Sequence, residues 1–299
     1  MAQYVVTADD RAWFGRCRRA WDLGAVARHG LEPVTTPGTD DTDRAIREAL
    51  AVHYFPGMWS WERTIVEPLV FAAYDRAHGP PEVRPLLDDF LRWAADADRF
   101  TPLRVEVEID VHVADPVLPD THLSTPEGAA VRFRDRIALV LVDDDDRYWL
   151  GDHRVVDEFA AADELLLDER GVLACWAWDE IELATTVSGI QYTEIRLDPP
   201  AFRRTAVSRT AVEKEGAARR LGRQVLEMLA PDLVVEPTPE WSHCARCAFR
   251  LPCIAMNRGE DPRAILATRY RARGPDVLEE GRLGGISWGM GRGAAPPHL

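Results

Sequence analysis

The chain has 299 residues, 46% of them hydrophobic and 29% charged, which suits a soluble globular protein with one large domain or two modest ones. Its formal net charge of −14 argues against a nonspecific nucleic-acid coat, although a local basic groove is compatible with it. No apolar run is long enough to cross a bilayer, and the first residues, MAQYVVTADDRAWFGRCRRAW, lack the marks of a secretion signal, so a cytoplasmic location and no membrane contact are expected.

In chain order, residues 8–30 read as a helix, with Thr7 or Asp9 as cap and Trp13, Cys17, Trp21 and Gly24 at helical spacing. A loop follows over 31–42. Helical periods return over 43–54, 59–78 and 83–98, the last two parted by Gly79-Pro80-Pro81. From Leu103 to Val113 apolar and polar residues alternate as in a half-buried strand. A polar loop to about Gly128 precedes a second strand, Val131 to Val142. The acidic run Asp143-Asp144-Asp145-Asp146 reads as a hairpin turn rather than a metal site, and Arg147 to Val156 as the return strand. A helix over 163–178, a short strand over 193–197 and an amphipathic helix over 210–229 complete the core. The tail beyond residue 259 turns rich in Gly, Pro and Arg and reads as extended from about 273. Helices, a strand meander, then a helix and strand describe one α/β core with a helical attachment.

Arginines gather at residues 16–19, 203–209, 219–223 and 269–273, and solvated helix faces account for any one of these groups. Lys214 is the only lysine, in an exposed-looking run.

Of the five cysteines, Cys244, Cys247 and Cys253 form the C-x2-C-x5-C cluster CARCAFRLPC, and Cys17 stands near the other end of the chain. Close thiols in a reducing compartment bind metal or do redox chemistry more often than they form disulfides. Zinc accepts four cysteines but usually takes them from two short knuckles, whereas here one lone cysteine joins three. Cys175 reads as a small buried apolar residue. One cysteine before the core and C-x2-C-x5-C after it resembles the CRISPR-associated RecB-like exonucleases and AddB-type nuclease subunits. That resemblance implies a 4Fe–4S cluster on Cys17, Cys244, Cys247 and Cys253, closing the N- and C-terminal segments onto each other.

A second resemblance lies in VRFRDRIALVLVDDDDRYWLGDHRVV, residues 131–156. RecB-type nucleases of the PD-(D/E)XK superfamily carry an Asp on one strand, a hairpin, and a return strand ending in Asp-x-Lys. Asp135 and Asp152 match the two acidic places, and Arg154 stands where the lysine belongs. The resemblance spans most of residues 8–256. It implies a restriction-endonuclease-like core over about 103–200 with a helical attachment over about 43–98, all within a nuclease domain of 1–258. It further implies Mg²⁺ or Mn²⁺ on Asp135 and Asp152, since carboxylates on adjacent strands hold the ions that neutralise phosphate and activate water. His53 fits the position of a third ligand, and Glu106 and Glu108 are further candidates to line the site.

The departures are specific. Arginine stays protonated, so Arg154 is a phosphate clamp and not a base. The helix motif Gln-x-x-x-Tyr is lost, with Arg170 and Ala174 nearest its places. The loop DPVLPDTHLSTPEG has no assigned role. The expected function is a metal-dependent DNA nuclease on single-stranded or end-bearing DNA. The alternative is a catalytically inactive subunit that binds DNA or a partner beside a helicase or another DNA-processing component.

Overall fold

The computed structural model describes residues 3–34, 39–118, 121–182 and 185–273. The tail beyond 273, expected to be extended, lies outside them. The fold is α/β. In chain order its elements are β1 (Gln3–Thr7), α1 (Ala8–Arg16), α2 (Arg18–Gly24), β2 (Leu31–Pro33), α3 (Thr39–His53), a 3₁₀ turn (Pro56–Met58), α4 (Arg63–Arg76), α5 (Arg84–Ala97), β3 (Phe100–His112), β4 (Ala130–Asp143) and β5 (Tyr148–Val156). Then come α6 (Ala162–Leu166), α7 (Glu169–Ile181), β6 (Gly189–Arg196), β7 (Ala201–Ser208), α8 (Ala211–Met228), α9 (Trp241–Cys244), α10 (Arg250–Asn257), α11 (Arg263–Arg269) and β8 (Tyr270–Ala272).

Six strands form one mixed sheet. β4 pairs with β3, β5 and β1, β5 pairs parallel with β6, and β7 closes the edge beside β6. Helices cover both faces. Phe14, Trp21, Leu173, Leu221 and Val225 pack on one face against Val131, Phe133, Leu150 and Tyr192. On the other face Leu50, Val70, Phe90 and Leu91, from α3, α4 and α5, pack against Leu139, Leu141, Trp149 and Ile195. These three helices cover the residues expected to form a helical attachment, and they pack directly on the sheet. Each fully buried Leu or Phe there contributes roughly 1.5–3 kcal/mol. Among the described residues no helix is long and apolar enough to cross a membrane.

The structure differs from the sequence reading at several places, among them β2 within the loop expected over 31–42 and α11 and β8 within the tail expected beyond 259. The five residues QYVVT, too few to show a period, form β1, parallel to β4 in the register Gln3↔Ala130 to Thr7↔Arg134. The helix expected over 8–30 is two helices, because Cys17 takes an extended conformation (φ −160°, ψ 109°) that ends α1 and starts α2. β7, AFRRTAVS, carries two arginines that hide its strand character. They are neutralised in place, Arg203 by Glu194 on β6 and Arg204 by Asp98. Thr7 does cap α1, accepting from the Asp10 amide while Asp10 accepts from the Thr7 amide. The hairpin at 143–147 is a turn as expected. Asp143 accepts from the amides of Asp145 (3.0 Å) and Arg147 (2.9 Å), and Asp146 takes a positive φ of 57°.

The two ends of the described chain meet. β2 and β8 form an antiparallel ribbon, and Leu23, Phe249 and Tyr270 pack into a small core of their own beside Cys247.

Candidate functional site

The site is created by a fork in the sheet. β5 pairs with β4 only from Leu139↔Gly151 to Val142↔Tyr148, and then leaves it to follow β6 as far as Val156↔Arg196. β1 pairs with the same edge of β4, but only at residues 130–134. Residues 135–138 of β4 therefore have no strand on that edge. Asp135 to Ala138 line one arm of the fork and Gly151-Asp152 the other, while Arg170, Gly171 and Ala174 of α7 close it. The enclosed space is about 30 Å³. Gly171 is required for this closeness, since a Cβ there would stand 2.3 Å from the Tyr192 hydroxyl.

Each fork carboxylate is already matched by a guanidinium. Asp135 is 7% exposed, and its Oδ1 accepts from the Arg136 amide at 2.8 Å and from Arg170 at 3.0 Å. Burial raises its carboxyl above the usual range, against the pull of Arg170. Arg170 also lies 4.0 Å from Asp9 at the start of α1. Arg154 donates through Nε to Asp152 at 2.5 Å and through Nη2 to Asp168, and it lies 4.5 Å over the ring of Tyr192. Burial works to lower the Arg154 guanidinium, but Asp152 and Asp168 hold it above its ordinary value, so it is a permanent cation. Tyr192 donates to the shared Asp168 carboxylate at 2.8 Å.

Asp168 and Tyr192 escaped the sequence reading. Asp168 directly precedes α7, where an aspartate usually caps the helix, but it makes no cap bond and serves Arg154 and Tyr192 instead.

The structure brings Asp135, Asp152 and Arg154 to one fork but not His53. Successive side chains alternate along β5, so Asp152 and Arg154 face the α7 side and His153 the α3–α5 side. His53 ends α3 on that second side, its ring edge-on to Tyr54 at 4.6 Å, and Tyr54 stacks on His153 at 5.2 Å. Burial, with Arg204 next, pushes His53 down to about 4 and His153 to about 3, so both imidazoles are neutral. Among the described residues His53 Nε2 and His153 Nδ1 are buried without a hydrogen-bond partner. His53 is thus separated by the sheet from the carboxylates it was expected to join.

Glu106 and Glu108 face Arg136, at 3.4 and 3.9 Å, rather than the fork, and Glu106 also feels Arg47 and Glu48 of α3. Lys214, expected to be exposed, is buried. Its ammonium donates to Asp179 at 2.7 Å and to the Val187 carbonyl at 2.6 Å, which removes the one lysine from any role at the fork. Cys175 is fully buried as expected, and its thiol is pushed up to about 12 by burial.

The four remaining cysteines line a second, apolar cavity of about 190 Å³. The break at Cys17 aims one thiol from the α1–α2 junction, while α9, the turn after it and α10 supply Cys244, Cys247 and Cys253. The Glu240 amide donates to Cys244 Sγ at 3.4 Å and Arg19 to Cys253 Sγ at 3.6 Å. Burial raises the Cys247 thiol, and Cys17, Cys253 and Cys244 push it the same way.

Among the described residues, no group of three or more His, Cys, Asp or Glu side chains is drawn around one point tightly enough to hold a metal ion. The two sites differ in what this means. The thiols match a four-thiolate group in number, type and N–H···S contacts. At the fork the two carboxylates are already paired with guanidinium groups, Asp135 with Arg170 and Asp152 with Arg154, and Asp168 shares Arg154.

No protein-family model matches the chain, and no curated protein matches it. Among solved structures, the crystal structure of SSO0001 aligns with 83% of this chain and 85% of its own at 10% identity and a TM-score of 0.37, a likeness too weak to carry an argument about function.

Proposed function

We propose that this chain is a nuclease-type module, RecB-like with a restriction-endonuclease-like core, that holds DNA backbone at the fork without cutting it. The observation that carries this reading is the pairing of both fork carboxylates: Asp135 with Arg170, and Asp152 with Arg154. Hydrolysis in such a fold needs a metal on the carboxylates and a base or water-positioning lysine. Here the carboxylates are neutralised, Arg154 cannot give up a proton, and Lys214 is held by Asp179. Arg170 is half-exposed and placed to exchange Asp135 for a phosphate, whose oxygens accept from guanidinium N–H as a carboxylate's do. DNA that is single-stranded or carries an end fits a narrow fork better than continuous duplex. A binding module of this kind suits a subunit beside a helicase or other DNA-processing partner.

The four thiols complete the reading as ligands of a 4Fe–4S cluster whose role is structural. It would tie the first two helices to the C-terminal segment that they already touch through Leu23 and Phe249.

The second reading is Mg²⁺- or Mn²⁺-dependent DNA cleavage, favoured by one observation: Asp135 and Asp152 line the same cavity from the two arms of the fork. End-labelled single-stranded and duplex DNA, incubated with anaerobically purified protein and either metal, separates the two. We expect bound, intact DNA. Metal-dependent cleavage that Asp135→Ala abolishes would establish the enzyme instead.

A further inference from the structure

A larger cavity, about 630 Å³, lies between α1, the first residue of α2, α8 and the segment 234–238. Four arginines line it: Arg11, Arg18, Arg220 and Arg223. Its acidic neighbours are Glu169, Glu227 and Glu236, so the groove carries a net positive charge in a chain that is strongly negative overall. Arg11 is positioned by Gln224, which accepts from its Nε at 2.7 Å, and Arg18 lies over Phe14 and donates to Glu227 at 3.5 Å. Among the described residues Arg223 has no ion pair or hydrogen bond.

Two of these arginines already hold a carboxylate, that of Glu169. Arg220 grips its carboxylate through two nitrogens, at 2.9 and 2.6 Å, and Arg11 reaches it at 3.4 Å. Burial opposes ionisation of Glu169, yet these hydrogen bonds and charges hold its carboxyl below the ordinary range. A small oxyanion between two guanidinium groups is a phosphate-like arrangement built from the chain's own carboxylate.

The groove meets the thiol cavity, since Pro237 and Thr238 line both. Toward the fork the link is through α7, where Glu169 pairs with Arg220 and the next residue, Arg170, pairs with Asp135.

We propose that the arginine groove is the track of a single phosphodiester strand, its phosphates taken by Arg220 and Arg223 with Arg11 and Arg18 beside them. This rests on the reading that the fork holds DNA backbone. The strand is favoured over a free polyphosphate because the arginines are spread along the groove, Arg11 and Arg18 from the first two helices and Arg220 and Arg223 from α8, rather than gathered round one point.

The test is fluorescence anisotropy of a labelled oligothymidylate over a salt series, with the full chain purified anaerobically. Arg220→Ala/Arg223→Ala is expected to weaken binding at least tenfold and to lower the log–log salt slope by about 1.4, from two lost contacts of about 0.7 each. Arg223→Glu, at an exposed position with no described partner, is expected to weaken binding with unfolding unchanged. Arg263→Ala, outside the groove, leaves affinity unaltered. Groove variants that bind with wild-type affinity and slope would overturn the groove while the fork reading stands. A wild-type protein that binds no oligonucleotide would overturn both. Displacement of the strand by micromolar inorganic triphosphate would assign the groove to a free polyphosphate and overturn the strand.

Discussion

The fork and the thiol cavity present opposite electrostatic problems. At the fork, Asp135 and Asp152 are met by Arg170 and Arg154, and Asp168 and Tyr192 complete the network. In the thiol cavity, among the described residues, the sulfurs accept from Arg19 at Cys253 and from the Glu240 amide at Cys244. On the proposed reading, carboxylates already paired with guanidinium groups gain less from a metal ion than four thiols that share one cavity. A ligand pattern in sequence is therefore weighed together with the charge that surrounds it.

The largest expected effect is at the thiols. Cys253→Ser is expected to abolish bound iron, read by metal analysis and the loss of visible absorbance, and to lower the thermal midpoint by several degrees. Retention of iron, or a wild-type protein purified without oxygen that contains none, would break the comparison on this side.

Next come the buried charges around the fork. Asp168→Ala leaves Arg154 with one partner and Tyr192 without its acceptor, and should cost about 3 kcal/mol in denaturant unfolding. Lys214→Ala should cost a similar amount, about 3 kcal/mol, by stranding Asp179, while leaving DNA binding unchanged. A loss of binding in Lys214→Ala at unchanged stability would return the lysine to the site.

A pH series separates His53 from the fork. Both His53 and His153 are held neutral in the fold, at about 4 and about 3, whereas in the unfolded chain they protonate near their ordinary value. The unfolded state therefore binds more protons as pH falls below that value. The stability from neutral burial is full above about 6.5 and is lost on the way down to the folded values, at up to about 1.4 kcal/mol per pH unit for each histidine. His153→Phe should flatten the dependence measured between pH 7 and 5, with DNA binding intact.

The smallest effect on stability is expected from Arg170→Ala, about 1–2 kcal/mol, because this guanidinium is half-exposed and the buried Asp135 it leaves keeps the Arg136 amide as a donor. DNA affinity should nevertheless fall, and a loss of stability with unchanged affinity would make Arg170 merely structural.

Much of this arrangement was legible in the sequence. Alternation located β3, β4 and β5, the four-aspartate run located their turn, and cysteine spacing paired Cys17 with the distant C-x2-C-x5-C. What stayed hidden was partnership. Arg203 and Arg204 looked like a basic patch but lie on a strand whose neighbours neutralise them, and Lys214 looked exposed because nothing in its own helix reveals Asp179 across the core. His53 stood at the right distance along the chain, yet the face of a sheet is set by strand parity, which places it with His153 rather than Asp152. The fork itself follows from where β5 leaves β4, a property of register that no single segment encodes.

The central claim is that arginines hold the places a divalent ion would need. Mn²⁺ titration followed by electron paramagnetic resonance tests it on the wild type, on Arg154→Ala/Arg170→Ala, and on each with Asp135→Ala added. The account predicts no Mn²⁺ site sensitive to Asp135→Ala in the wild type, and the appearance of one in the double-arginine variant. A wild-type Mn²⁺ site that Asp135→Ala removes would contradict it and restore the fork as a metal centre.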